Sequence, residues 1–222
     1  MNFLFCGYRD WSLKIIDDLE NRFSSDSFFI AKSRRQLSQY ARSSIEFDIV
    51  MFVGWSWIIN NSFLEKNTCI CVHPSPLPKY RGGSPMQNQI LSGEKESKVT
   101  VFLMNSELDA GPIISQSDSF SLSGNLKDVF DRVSVETLST LCDAIEKKKN
   151  NRFVGLDQNE SDATFFKRRK PEQSEIVSVD FSNYTAEQMY DKIRCLQNPY
   201  PNAFIVCADG KRLYLTGARI DD

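Results

Sequence analysis

Short apolar runs alternate with polar segments of helical spacing through the first half of the chain. Asn2 to Gly7 is apolar and ends in a turn, after which Trp11, Ile15, Ile16 and Leu19 recur at helical spacing. Ser27 to Ala31 predicts a second strand, and Arg34 to Ser43 a polar helix. Asp48 to Gly54 (DIVMFVG) is continuously β-branched and aromatic, as suits a strand covered on both faces of a parallel sheet. Thr68 to His73, Val99 to Met104 and Pro112 to Ser117 predict three further strands, the last entered through Ala110-Gly111. Such alternation predicts an α/β fold with a doubly wound, mainly parallel sheet.

The second half changes character. Asn125 can cap a long helix in which Leu126, Phe130, Val133, Leu138, Leu141 and Ile145 face the core. Lys147-Lys148-Lys149 closes it, cations where the helix dipole favours them, and reads as a solvated helix end. Residues 150–175 are polar and irregular and carry a second basic run, Lys167-Arg168-Arg169-Lys170. Thr185-Ala186-Glu187-Gln188 is a capping box that opens another helix, stopped by Asn198-Pro199-Tyr200-Pro201. Ala203 to Cys207 and Arg212 to Thr216 then predict a terminal hairpin. The expected division is a main domain over 1–175 and a small helix-and-hairpin appendage over 176–222. Phe204, Val206, Leu213 and Leu215 would leave that hairpin with apolar edges, so a homodimer through it is expected.

Composition narrows the function classes. The 222 residues carry 27 Lys and Arg against 29 Asp and Glu, a net charge of −2, with 41% hydrophobic residues. A nucleic-acid backbone is therefore not expected as the main partner, since that role needs a basic surface to displace counterions. The longest apolar run, Ile49 to Trp55, falls far short of the roughly 20 residues of a membrane span. No basic segment precedes the apolar Asn2 to Cys6, so no signal peptide is expected and a cytoplasmic location is. The six cysteines contain no Cys-x-x-Cys pair and His73 is the sole histidine, so neither a disulfide framework nor a metal site is expected. The first turn, Gly7-Tyr8-Arg9, has neither the Gly-x-Gly-x-x-Gly nor the Walker pattern.

Candidate chemistry lies in Cys71 to Pro85, where four prolines and two glycines between Pro74 and Pro85 follow directly on a strand. This shaped loop presents His73, Ser75, Lys79, Tyr80 and Arg81 at the strand's carboxyl end, where open α/β sheets place their sites. Glu107-Leu108-Asp109-Ala110-Gly111-Pro112-Ile113 follows another strand. If the two strands are parallel neighbours, an imidazole and a carboxylate meet at one end of the sheet. Such a pair suits proton transfer or stabilisation of an oxyanion. Placement alone leaves a structural role for His73 open.

His73-Pro74-Ser75-x-Leu77-Pro78-x-Tyr80-Arg81-Gly82, followed by Leu108-Asp109-Ala110-Gly111-Pro112-Ile113, resembles the folate-dependent formyltransferases. Gly82-Gly83-Ser84-Pro85-Met86-Gln87-Asn88 is most similar to the nucleotide-sugar N-formyltransferases. The resemblance implies a formyltransferase fold using N10-formyltetrahydrofolate, with His73 and Asp109 catalytic and Cys71 where the family carries an Asn. A thiol is a weak donor, so either another group, Asn88 or Gln87, holds the formyl oxygen, or His73 itself carries that load, or the protein is slow. The donor is expected along the backbone of Gly54, Trp55, Ser56 and Trp57 and of Leu103, Met104 and Leu108, with the two indoles read as core rather than as stacking platforms. The acceptor is expected to be a nucleotide-linked amino sugar, in the narrowest form dTDP-linked and destined for surface polysaccharide. It would be met by Tyr8, Arg9, Ser75, Lys79, Tyr80, Arg81, Gly83, Gln87, Lys167 and Arg169. Arg81 and the Lys167–Lys170 run would bind its diphosphate. Methionyl-tRNA, glycinamide ribonucleotide and a non-catalytic folate sensor are the alternatives.

Overall fold

The computed structural model describes residues 1–221. Strands β1 (Asn2–Cys6), β2 (Ser27–Ala31), β3 (Ile49–Val53), β4 (Cys69–His73), β5 (Thr100–Leu103) and β6 (Ile113–Gln116) form one sheet, ordered β2-β1-β3-β4-β5-β6. The first four are parallel. Their side chains alternate between two apolar layers, as a period of two requires. Phe3, Phe5, Met51, Val53, Ile70 and Val72 enter the larger core, whereas Leu4, Cys6, Val50, Phe52 and Cys69 enter a smaller one on the opposite face.

Helices α1 (Ile16–Arg22), α2 (Arg34–Tyr40), α3 (Pro85–Leu91), α4 (Leu126–Lys149) and α5 (Ala186–Cys195) cover the sheet. Leu37 of α2 seals the smaller core. Leu126, Val129, Phe130, Val133, Leu141 and Ile145 of α4 pack into the larger one. The expected caps form: Asn125 with Asp128, and Thr185 with Gln188, each bond reciprocally. Helix α3 was not predicted, because its residues follow a stretch rich in turn formers. Pro85 at its first turn needs no N–H partner and has φ already set.

Two expectations change. The strands carrying the motifs are not parallel, for β5 runs antiparallel to both β4 and β6. Thr100 faces His73 and Leu103 faces Ile70, so β5 ends beside the start of β4. Nor is the end of α4 simply solvated. Lys147 Nζ donates to the Ile114 carbonyl at 2.8 Å, and Lys149 pairs with Asp26.

The terminal hairpin pairs β7 (Phe204–Val206) with β8 (Arg212–Tyr214). Its edges are less available than expected, because Phe204 is buried and its carbonyl accepts the Ile176 amide at 2.7 Å. Val206, Leu213 and Tyr214 remain exposed. Ile193, Cys195, Leu196 and Ala203 share the larger core with the sheet. Among the described residues no helix is long and apolar enough to cross a membrane.

Asp180 and Lys192 tie this region together at 2.8 Å, both nearly buried. The Lys192 hydrogen bond holds the Asp180 carboxyl below its usual range against the opposing effect of burial. Asp180→Ala is expected to cost about 1.5 kcal/mol at neutral pH by removing the charged hydrogen bond to Lys192. That contribution is complete above the unfolded carboxyl value of about 3.9 and vanishes as pH falls through the lower folded value. Urea unfolding of wild type and variant should therefore differ at pH 7 and converge in strong acid.

Candidate active site

His73 ends β4 with its ring buried. Nε2 lies 2.8 Å from the Tyr80 carbonyl, which can only accept, so this nitrogen carries a proton. Nδ1 is left facing Asp109 Oδ2 at 3.7 Å. That distance is too long for a hydrogen bond, so the carboxylate faces the free ring nitrogen without bonding it directly.

Asp109 reaches this position by an unexpected route. Because β5 is antiparallel, the chain leaves it at the wrong end of β4, and residues 104–112 must fold back to His73. Three features hold the return. The Gly82 amide donates to Asp109 Oδ2 at 2.8 Å. Asp109 itself adopts φ 53, a left-handed conformation rare outside glycine. Gly111 sits so close to β5 that a Cβ would lie 1.7 Å from the Leu103 carbonyl oxygen.

The pair lies in the wall of a cleft of about 1140 Å³. Gly54, Trp55, Ser56 and Trp57 line one side, and Met104, Leu108 and Asp109 another. Trp55 and Trp57 meet edge to face at 4.7 Å, and Tyr8 packs behind Trp57 at 4.6 Å. The Trp55 indole N–H is buried without a partner. Leu108 is 64% exposed.

The basic run arrives through a pairing that pattern analysis missed. Phe165 and Phe166 run parallel to Arg81 and Gly82, and the Gly83 amide donates to the Phe166 carbonyl at 2.8 Å. Lys167, Arg168, Arg169 and Lys170 consequently line the cleft, together with Gly83 and Gln87. Arg9 joins them, its guanidinium 5.5 Å from the Tyr200 ring centre. Tyr200 stacks on Phe130 at 5.6 Å and forms a wall that the Pro-rich helix stop had concealed.

Other expected residues stand apart. Arg81 is 1% exposed, and its guanidinium is committed to Glu160 at 2.7 and 3.0 Å and to Gln158 at 2.8 and 3.0 Å. It has no reach toward a diphosphate. Ser75 is buried and bonds the Lys79 carbonyl, while the Lys79 side chain is exposed outside the cleft. The Tyr80 hydroxyl donates to Glu94 at 2.8 Å, and its ring stacks on Phe166. Tyr8 and Leu103 likewise do not line the cleft.

Cys71 does line it, but burial and the nearby Asp109 carboxylate push its thiol well above the usual range. It stays protonated and donates weakly, at 3.8 Å, to the Val72 carbonyl. Of the two substitutes, Asn88 spends its amide on the Gly83 carbonyl at 2.8 Å. Gln87 lines the cleft with its buried amide nitrogen unpartnered.

The mainly parallel sheet with its flanking helices has the α/β fold of the formyltransferases. Residues 20–122, which hold both motifs, match the family described as Formyl transferase. A methionyl-tRNA formyltransferase of Lysinibacillus sphaericus (strain C3-41) is 37% identical over 173 residues, covering 75% of this chain and 53% of that protein. The chain spans about half the length of the curated relatives it matches. Among solved structures, a methionyl-tRNA formyltransferase from Clostridium thermocellum superposes with TM-score 0.79 at 28% identity, covering 96% of each chain. A 4-N formyltransferase from Francisella tularensis shares the fold at 17% identity, with TM-score 0.76 and coverage of 100% of this chain and 98% of that one.

Gly111→Ala is expected to dislodge the return loop, since backbone, not a flexible side chain, stands in the way. Its cost should be at least about 2 kcal/mol, read as a lower midpoint in chemical denaturation.

Proposed function

We propose that this chain transfers a formyl group from N10-formyltetrahydrofolate to a primary amine on a phosphate-bearing acceptor. The observation that carries the reading is the His73–Asp109 pair, 3.7 Å apart in the wall of a cleft lined by both apolar and basic side chains. The apolar lining suits the formyl donor: Trp55, Trp57, Met104 and Leu108 offer contact area. Bound there, the donor supplies an electrophilic formyl carbon.

A neutral amine attacks that carbon, the new C–N bond forms, and the carbonyl oxygen becomes an oxyanion. His73 Nδ1 is the free ring nitrogen and accepts the amine proton. The imidazolium so formed is favoured by Asp109 and can stabilise the oxyanion. As the intermediate collapses, the bond to the donor nitrogen breaks, and that nitrogen takes the proton held by His73 and leaves as tetrahydrofolate. The protonated Cys71 thiol, already turned to Val72, contributes little to this oxyanion.

The acceptor's phosphates fit Arg9 and Lys167 to Lys170, the cations that line the cleft. A nucleotide-linked amino sugar leads, because a net charge of −2 is poor equipment for holding a nucleic acid beyond its terminus. Methionyl-tRNA is the second reading, favoured by the 37% identity to a methionyl-tRNA formyltransferase. The 1–175 and 176–222 division and a homodimer through Val206, Leu213 and Tyr214 belong to this proposal as well.

In a discontinuous formyl-transfer assay, His73→Asn should lower turnover by at least about a hundredfold. Cys71→Ala should change it less than about threefold, against the 10²–10³ of a true oxyanion donor. Near-normal turnover in His73→Asn would sink the reaction. The acceptor is decided by offering dTDP-, UDP- and GDP-linked amino sugars beside methionyl-tRNA. The sugar reading expects kcat/KM at least about tenfold higher for one sugar, with binding that weakens as salt rises.

A further inference from the structure

Gln158 is absent from every motif that points to the chemistry, yet it touches both elements that carry it. Its Nε2 donates to the Asp109 carbonyl at 2.9 Å and to the Gly111 carbonyl at 2.8 Å. Its Oε1 accepts from Arg81 Nε at 3.0 Å and from Nη2 at 2.8 Å. The amide orientation is unambiguous: reversal would set an oxygen against two carbonyls and an NH₂ against a guanidinium. Glu160 completes the arrangement through both carboxylate oxygens on Arg81.

We propose that Gln158 is a positioning residue for the reaction, a clamp that transmits the rigidity of buried Arg81 to the return loop and holds Asp109 against His73. Two observations demand such a clamp. Asp109 sits at φ 53, a conformation that persists in a non-glycine residue only where its surroundings over-determine it. The loop also runs back along the site from the wrong end of β4, with Leu108 exposed beside it, so little apolar packing anchors it. The Gly82 amide fixes the Asp109 carboxylate from one side, and Gln158 fixes the backbone on the other. Arg81 and Gly82 are neighbours, so both holds originate from one short piece of chain.

The clamp rests on the formyl-transfer reading for its catalytic consequence, but not for its structural one. Gln158→Glu keeps an acceptor on Arg81 and sets a second acceptor against the two carbonyls; Gln158→Met removes both functions without added charge. His73 is the sole histidine, so its ring nitrogens give the only imidazole signals in a ¹⁵N NMR spectrum. Asp109→Asn should move those signals, and both Gln158 variants should move them in the same direction while thermal melting stays cooperative. In turnover, Gln158→Glu should lose between about tenfold and a hundredfold in kcat. Its KM for the formyl donor should stay within about threefold.

Unchanged imidazole signals in both folded Gln158 variants, beside a clear change in Asp109→Asn, would overturn the clamp whatever the activity. No change in Asp109→Asn would overturn the pairing on which it depends. Wild-type protein that transfers no formyl group, but shows the expected NMR changes, would instead defeat the formyl-transfer reading and leave the clamp standing.

Discussion

A buried guanidinium organises this molecule's site. A charge withdrawn from water must meet partners at nearly every donor, or its burial costs several kcal/mol. Arg81 meets that demand with Gln158 and Glu160, residues almost eighty positions further along the chain. The demand therefore draws 158–160 against the loop after β4, and with it the chain that follows. Phe165 and Phe166 then pair beside Arg81 and Gly82, and the basic run from Lys167 has no other place to go than the cleft. Structural satisfaction of one arginine thus lays down the charged half of the cleft lining.

The other half follows from the direction of β5. Had it run parallel to β4, Asp109 would have met His73 at a common strand end. Running antiparallel, it obliges the chain to return, and the return is secured by specific devices: a left-handed Asp109, a Gly111 pressed on β5, and amide donors from Gly82 and Gln158. Each is a place where a local rule is broken or tightly met, as expected of functional geometry rather than of packing alone. Cys71 departs in the opposite sense. Its neutral thiol lines the cleft but is turned to the carbonyl of its own strand.

What was legible beforehand divides along physical lines. Strand and helix identities came through because side-chain periodicity is local: alternation along β1, β3 and β4 maps onto the two cores, and the stripe of α4 faces the larger one. Caps at Asn125 and Thr185 are three-residue signals and appear as expected. Helix α3 and the short pairing of Phe165–Phe166 with Arg81–Gly82 did not come through. The first is masked by proline and glycine, and the second is too short to have a period.

The amino-acid sequence by itself determined the α/β class, the apolar faces, the helix ends, and the pairing of His73 with Asp109, through two spaced motifs. Only the tertiary structure decided how that pair is assembled and who attends it. Strand direction is invisible to hydrophobic pattern, since a strand presents the same alternation whichever way it runs. Whether an arginine faces ligand or core is equally invisible, because it depends on partners distant in sequence. Arg81, read as a ligand contact, is therefore a buried strut. Arg9, Arg169 and Tyr200, separated by most of the chain, share one cleft. Their meeting is a product of folding, where contacts between remote residues are set by the packing of whole elements rather than by any local preference.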